Sequence, residues 1–319
     1  MNATLDLRVR ALRWEAEGIL GCELEPAARA TLLPAAEAGA HIDLELPGGL
    51  QRSYSLLEPG ERRRYRIAVN LDAASRGGSR WIHESLRPGQ RLTTGVPRNH
   101  FALAEGAALS AFIAGGIGIT PILAMIRRLA ALGRPWRLHY VARTRERAAF
   151  VDELQALAAQ GGGSAEFCFD QEPGGRRLDV AAVVAALTED AHLYACGPLP
   201  LLDAFEAACA GRPRERVHLE HFAAREAAAS RGGFEVRLAR SGRTVAIAPG
   251  QSILDAVIAS GIEPPWSCRE GICGTCETRV IEGRPEHRDL VLSDAEHAAN
   301  DRMMICCSGA QTPLLVLDL

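Results

Sequence analysis

The stretch ALSAFIAGGIGITPILAMIRRLAAL (108–132) separates two kinds of sequence. ALSAFIA (108–114) is a short, continuous apolar run, the composition of a strand buried on both faces. GGIGITP (115–121) ends it in a glycine-rich turn, and apolar side chains then recur at helical spacing, predicting a helix over 119–132. A strand-to-helix turn built from Gly115, Gly116 and Gly118 lets backbone N–H groups approach a pyrophosphate. The spacing is not G-x-G-x-x-G, so the usual dinucleotide fingerprint is absent, and the turn alone is weak evidence. Pro121 suits the first helical turn.

Downstream the alternation continues. WRLHYVA (136–142), SAEFCFD (164–170) and AHLYA (191–195) read as strands; 145–160, 178–187 and 200–210 read as helices. This predicts a parallel sheet covered on both faces. Cys196, Gly197 and Pro198 end the last of these strands, where ligands of such sheets bind. Cys196 is small enough to pack beside a nicotinamide ring, although a buried core cysteine is the commoner case. Glu220-His221-Phe222 follows, with Phe222 suited to cover a flavin face or to pack in a domain boundary.

Upstream, residues 1–105 are β-rich. Runs at 4–12, 19–24, 41–46, 65–71 and 91–96 are divided by Pro- and Gly-containing turns, which predicts an antiparallel barrel or sandwich. A helix over 79–86 interrupts them. Two short segments here suit a flavin phosphate. In Arg52-Ser53-Tyr54-Ser55, the arginine offers a fork of donors, the tyrosine an aromatic face, and Ser55 a hydroxyl for the flavin N5 edge. In Gly77-Gly78-Ser79, bare backbone precedes the helix and offers an anion site. Either could be an ordinary edge strand or an N-cap; together they carry more weight.

The third part begins after AAREAAASRGG (223–233), which reads as a linker. A hairpin at 234–249 and a helix at 251–260 lead into CREGICGTC (268–276). Cys268, Cys273 and Cys276, with Cys306 later, give C-x4-C-x2-C…C, the plant-type [2Fe-2S] spacing. Gly271 and Gly274 keep the loop free of bulk, so N–H groups can reach the sulfurs. Structural zinc sites pair short C-x2-C knuckles, which the x4 gap fits poorly. Cys307 could compete with Cys306; the RMMIC frame favours Cys306.

Composition sets outer bounds. The chain has 319 residues, 47% hydrophobic and 24% charged, enough for two or three globular domains. A net charge of -3 gives no sign of nucleic-acid or membrane-surface binding. No 18-residue apolar run or signal-type leader occurs, so the cytoplasm is the expected compartment, where nine cysteines suggest metal chemistry more than disulfides. All 36 basic residues are arginine, so any anion site uses arginine or backbone N–H groups.

Taken in order, RSYS, RGGS, GGIGITP, YACGP, HLEHF, CREGICGTC, HRDLVLSD and MMIC resemble the phthalate dioxygenase reductase family, the reductase components of Rieske non-haem iron oxygenases. The resemblance covers essentially the whole chain. It implies a multidomain protein: an antiparallel β-barrel flavin domain (1–105), an α/β parallel-sheet nicotinamide domain (106–224), a linker (225–233) and an α+β β-grasp ferredoxin domain (234–319). It also implies FMN, a [2Fe-2S] cluster and NADH as cofactors, a Rieske-type oxygenase as partner, and a monomer. By likeness, Arg52, Ser53, Gly77, Gly78 and Ser79 hold FMN, Val69 and Asn70 lie along its ring, Thr120 beneath it, and Phe222 stacks on it. Cys196 then sits near hydride transfer. Arg269-Glu270 departs from the small residues frequent in the family's cluster loop. Arg143 and Arg145 leave room for NADPH, although the likeness leans to NADH. A stand-alone diaphorase and a non-enzymatic redox sensor are the rival readings.

Overall fold

The computed structural model describes residues 4–28, 31–73, 75–222 and 232–319. The chain divides into two compact units, 1–222 and 223–319. The expected linker at 225–233 lies, but for its last two glycines, outside the described residues.

The first unit holds two sheets. Strands β1 (Thr4–Ala16), β2 (Ile19–Pro26), β3 (His41–Leu46), β4 (Leu50–Ser55), β5 (Tyr65–Asn70) and β6 (Arg91–Gly95) are antiparallel, in the order β4-β3-β6-β1-β2-β5. Their inward side chains, among them Leu7, Leu24, Ile42, Leu44 and Ile67, form one core. Bulges between Val9 and Ala11 and between Trp14 and Ala16 bend β1, which runs four residues beyond the expected 4–12. Helix α1 (Gly78–Ser85) packs on both end strands, β4 and β5, and so closes the sheet towards a barrel.

The second sheet is parallel, β7 (Ser110–Gly115), β8 (Trp136–Ala142), β9 (Gly163–Phe169), β10 (His192–Cys196) and β11 (Val217–Glu220), in the order β11-β10-β7-β8-β9. Helices α2 (Ile119–Leu132), α3 (Val151–Ala159), α4 (Val180–Ala185) and α5 (Leu199–Ala208) cover it. Alternation along β7 explains its unbroken apolar run: Phe112 and Ala114 enter the core with α2 and α3, while Ala111 and Ile113 enter the core with α4 and α5. The helix expected over 145–160 is shorter. Residues Arg145–Arg147 make one tight turn, and Phe150 takes a left-handed φ of 64°, so the helix starts only at Val151.

The two sheets share a core rather than forming separate bodies. Ala16, Ile19, Leu57 and Ala68 of the first pack with Ile119, Ile122 and Tyr194 of the second. Arg127 Nη1 donates to the Leu57 carbonyl at 2.6 Å, and the Ala104 N–H donates to Tyr194 Oη at 2.9 Å.

The second unit is a mixed sheet with α6 (Ile253–Ala259) packed on it. Strands β12 (Phe234–Leu238), β13 (Thr244–Ile247), β14 (Glu277–Glu282), β16 (Arg302–Met304) and β18 (Leu314–Leu317) order as β13-β12-β18-β14-β16. β15 (Pro285–Glu286) pairs with β17 (Gly309–Ala310), and α7 (Asp294–Ala299) precedes β16. The β12–β13 hairpin with β18 parallel to β12 is the β-grasp arrangement. Among the described residues no helix is long and apolar enough to cross a membrane.

Candidate functional site

Two sites emerge, one in each unit. In the parallel sheet the chain leaves β7 for one face and β10 for the other, so the adjacent strands β7 and β10 mark the point where the winding reverses. In open α/β sheets ligands bind at such a point, in a cleft outside the carboxyl ends of the strands. The two glycine turns that follow these strands interlock. A Cβ on Gly118 would stand 2.2 Å from the Cys196 carbonyl oxygen, and one on Gly115 would stand 2.6 Å from Pro198 Cδ. Gly197 is less tightly held, with Gly115 Cα 3.0 Å from where its Cβ would be. At 115 and 118 the atoms met are ring and backbone atoms that yield little, so the cleft floor requires glycine at those two positions. Gly116 takes a positive φ of 54°, which turns the chain into α2, and Pro121 lies in that helix's first turn.

Cys196 is fully buried at this floor. Parallel pairing sets it opposite Glu220, whose Oε2 accepts from the thiol at 4.0 Å. Burial, and then the Glu220 charge, hold the thiol well above its ordinary pKa, so it stays protonated. Burial also pushes the Glu220 carboxyl up to about 8, although the residue as a whole remains partly exposed and water moderates the shift. No role was expected for Glu220; only the β10–β11 register reveals its place beside the cysteine. Phe222, just beyond β11, keeps 39% of its surface exposed. Thr120 is buried, and its hydroxyl donates to the Ile117 carbonyl at 2.9 Å, holding the turn.

The barrel brings its own pieces to the same unit. β5, which ends in Val69 and Asn70, lies against the turn Gly116–Gly118. The two short motifs meet as well: a Cβ on Gly78 would be 2.9 Å from Arg52 Cγ and 3.0 Å from its Nε. The arginine stem therefore lies across the start of α1. At that helix start the Gly77 and Arg80 N–H groups donate to Ser75 Oγ, at 3.2 and 3.3 Å, and Ser79 Oγ donates to it at 2.9 Å. Three donors converging on one oxygen beside a guanidinium form a cradle with the chemistry of a phosphate monoester site, which fits FMN. Ser75 was missed, its sequence signal being only a serine two residues ahead of the glycines. Along β4, Tyr54 packs against the barrel core, Ser55 is buried, and the Ser53 hydroxyl donates to Asp43 at 2.6 Å. Asp43 is also paired with Arg98, so Ser53 is one member of a buried ionic group.

In the second unit the four motif cysteines converge. Cys273, Cys276 and Cys306 are buried and Cys268 is partly so, and none forms a disulfide. The chain wraps them through three left-handed residues, Arg269 (φ 61°), Gly271 (72°) and Gly274 (71°). The Glu270 N–H points at Cys268 Sγ at 3.3 Å, and the Cys268 N–H at Cys273 Sγ at 3.5 Å. A hydrogen bond with Cys268, then burial, raises the Cys273 pKa; Cys306 and then burial raise that of Cys276. Cys268 is lowered by Cys273 but raised more by Cys306 and burial. Four thiols this crowded ionise together only around cations, and backbone N–H groups aimed at sulfur suit an iron–sulfur cluster. Cys307 turns elsewhere: its thiol faces the Met304 carbonyl at 3.7 Å and fills the space beside Gly271, where a Cβ would meet it at 2.5 Å.

Comparison with known proteins agrees with this geometry. Residues 236–311 match the 2Fe-2S iron-sulfur cluster binding domain, and 112–207 the oxidoreductase NAD-binding domain. The chain is 54% identical to the phenoxybenzoate dioxygenase subunit beta of Ectopseudomonas oleovorans, over 99% of this chain and 98% of that one. An intact type IV self-sufficient cytochrome P450 monooxygenase matches with a TM-score of 0.87 and 38% identity, over 99% of this chain; the chain spans only 41% of that protein. Phthalate dioxygenase reductase, described as a modular structure for electron transfer from pyridine nucleotides to [2Fe-2S], matches end to end, with a TM-score of 0.74, 36% identity, and 99% and 98% of the two chains covered. Matched end to end at 36% identity by that reductase, and carrying the four-cysteine loop within its 2Fe-2S domain, this chain belongs to the phthalate dioxygenase reductase family.

Proposed function

We propose that this chain is the NADH-oxidising reductase of a two-component Rieske-type oxygenase, with FMN held in the barrel (1–105), the nucleotide bound by the parallel sheet (106–224), and the cluster held by Cys268, Cys273, Cys276 and Cys306. The observation that carries the reading is the interlocked floor at Gly115, Gly118 and Cys196–Gly197, set in one compact unit with the Arg52–Gly78 cradle. When bound, FMN accepts a hydride from NADH and releases its two electrons singly, which the one-electron cluster requires.

The chain's own residues supply position and electrostatics. Backbone N–H groups of Gly115–Gly118 face the pyrophosphate, while Gly197 and Pro198 wall the nicotinamide side. The protonated Cys196 thiol and the Glu220 carboxyl present a small, weakly charged surface to the nicotinamide. Arg52, Gly77, Gly78 and Ser79 bind the FMN phosphate, displacing the Ser75 hydroxyl from the helix start. Ser53, Tyr54, Ser55, Val69, Asn70 and Thr120 line the flavin, and Phe222 covers its exposed face until nicotinamide takes that place. Beyond β8, the Arg145 N–H donates to Glu172 at 2.6 Å and its guanidinium pairs with Asp152 at 2.7 Å. With that charge already met, Arg145 is not free for a 2′-phosphate, which with the family likeness supports NADH over NADPH. Nine free thiols favour a reducing cytoplasm, and a monomer is expected by sedimentation.

Replacing Cys273 with Ser tests the order of transfer. NADH-to-ferricyanide turnover should persist while delivery to the oxygenase stops; loss of both, with FMN and fold retained, sinks the scheme. The P450 match favours a second reading, a haem-iron acceptor. Reduction by NADH of a candidate Rieske centre or of a haem, followed by EPR, separates the two.

A further inference from the structure

Apart from the cleft and the cysteine loop, three side chains of the second unit converge. His287, Asp289 and His297 each offer one donor atom, all within 4.8 Å of one another. The Asp289 side chain is fully buried. Its Oδ2 accepts from the Leu292 N–H at 2.8 Å and the Val291 N–H at 3.2 Å. His297 Nε2 stands 3.3 Å from Oδ1 and 3.4 Å from Oδ2, and His287 Nδ1 stands 3.7 Å from Oδ1. The rings lie face to face, centroids 4.4 Å apart. The His287 side chain is only 9% exposed; Asn300 and the His297 backbone approach its ring, but neither closes to normal hydrogen-bond geometry on either buried nitrogen.

These separations decide between two explanations. A charge-assisted bond from imidazolium to carboxylate closes to roughly 2.7–2.9 Å. The observed gaps are longer. They match the edges of a tetrahedron, since ligands on bonds of about 2.0–2.1 Å stand about 3.3 Å apart. Buried nitrogens short of a full hydrogen bond are costly, and a metal ion would satisfy them.

We propose that His287, Asp289 and His297 bind one divalent transition-metal ion of the zinc class, separate from the irons of the cysteine loop, with water as fourth ligand. Two imidazoles and a carboxylate suit zinc; magnesium and calcium take all-oxygen sets. The two N–H groups on Oδ2 supply the outer support such a ligand needs. Coordination uses lone pairs in the ring planes, so the stacked rings open as the ion enters. The site also braces the cysteine loop from behind. The Leu290 N–H donates to the Gly271 carbonyl at 2.9 Å, and a Cβ on Gly271 would stand 3.1 Å from Asp289 Cα.

Calorimetric titration of the cluster-loaded chain with zinc chloride tests this. One ion per chain should bind. His297→Ala, in a partly exposed side chain on α7, and His287→Ala should each weaken binding at least about tenfold without changing the cluster's visible spectrum. Cys168→Ser, which removes a partly exposed thiol, should leave binding intact. No binding, binding that survives His297→Ala, or binding lost in Cys168→Ser would overturn the proposal.

Discussion

The cysteine loop and the nicotinamide cleft solve opposite problems. In the loop, one short segment supplies three of the four thiols, and left-handed residues at 269, 271 and 274 fold it around them. In the cleft, no short segment suffices: Gly115 ends β7 and Gly118 follows it, Cys196 ends β10, Glu220 ends β11, and Phe222 lies just beyond. The loop is fixed by local backbone conformation, the cleft by contact between distant turns. Glycine therefore means different things in the two places. At 271 it permits a positive φ and makes room for a sulfur; at 118 it permits two main chains to touch.

The sharpest way to break this contrast is Gly118→Ala. The added methyl meets a carbonyl, which cannot move aside as a side chain can. NADH-driven flavin reduction should fall by about 100-fold or more, as expected when a reacting geometry shifts by an ångström. The cluster's EPR signal after dithionite should persist. Retention of stopped-flow reduction rates would show that the floor is softer than its distances imply.

Gly271→Ala comes next. It combines strain at φ 72° with a 2.5 Å approach to Cys307 Sγ. A loss of about 2–3 kcal/mol is expected, read as lower iron content per chain and a lower Tm. Adding Cys307→Ala should restore part of it by opening the space, leaving the backbone strain of about 1 kcal/mol. No recovery in the double variant would show that sulfur crowding is not the cause.

The smallest effect belongs to Glu220. Its carboxyl titrates near 8 in the fold against an ordinary 4.5. A raised carboxyl favours the folded state fully below 4.5, and that advantage is lost as pH rises through 8. Wild type should therefore lose stability between pH 5 and 9 relative to Glu220→Gln. Discounted for partial exposure, the difference is about 2 kcal/mol by pH 9. Parallel Tm curves for the two proteins would show that the carboxyl is better solvated than its position suggests.

How much of this could be read from sequence follows the same division. The gathering of Cys268, Cys273, Cys276 and Cys306 was legible because coordination chemistry dictates a spacing that survives without the fold. The alternation that builds the parallel sheet was legible for the same local reason, down to the apolar run of β7. The cleft was legible only in its glycines and its cysteine. Glu220 could not be found, since its meeting with Cys196 depends on a register between strands far apart in the chain. The start of α3 was missed because left-handed Phe150, at a residue that ordinarily avoids that conformation, is imposed by packing. Ser53 and Thr120 were placed at the flavin by family likeness alone; their bonds to Asp43 and to the Ile117 carbonyl depend on tertiary contacts that no local pattern announces. The change from β-rich to alternating sequence near 108 was legible, but the core that the barrel and the parallel sheet share was not, since it depends on contacts between residues far apart in the chain.

The interlocked turns have a consequence for descent. A floor of main-chain atoms keeps its shape whichever side chains surround it, so substitutions around it can alter the rim without moving the floor. Divergence in what such a protein serves is then free to fall on outer surfaces.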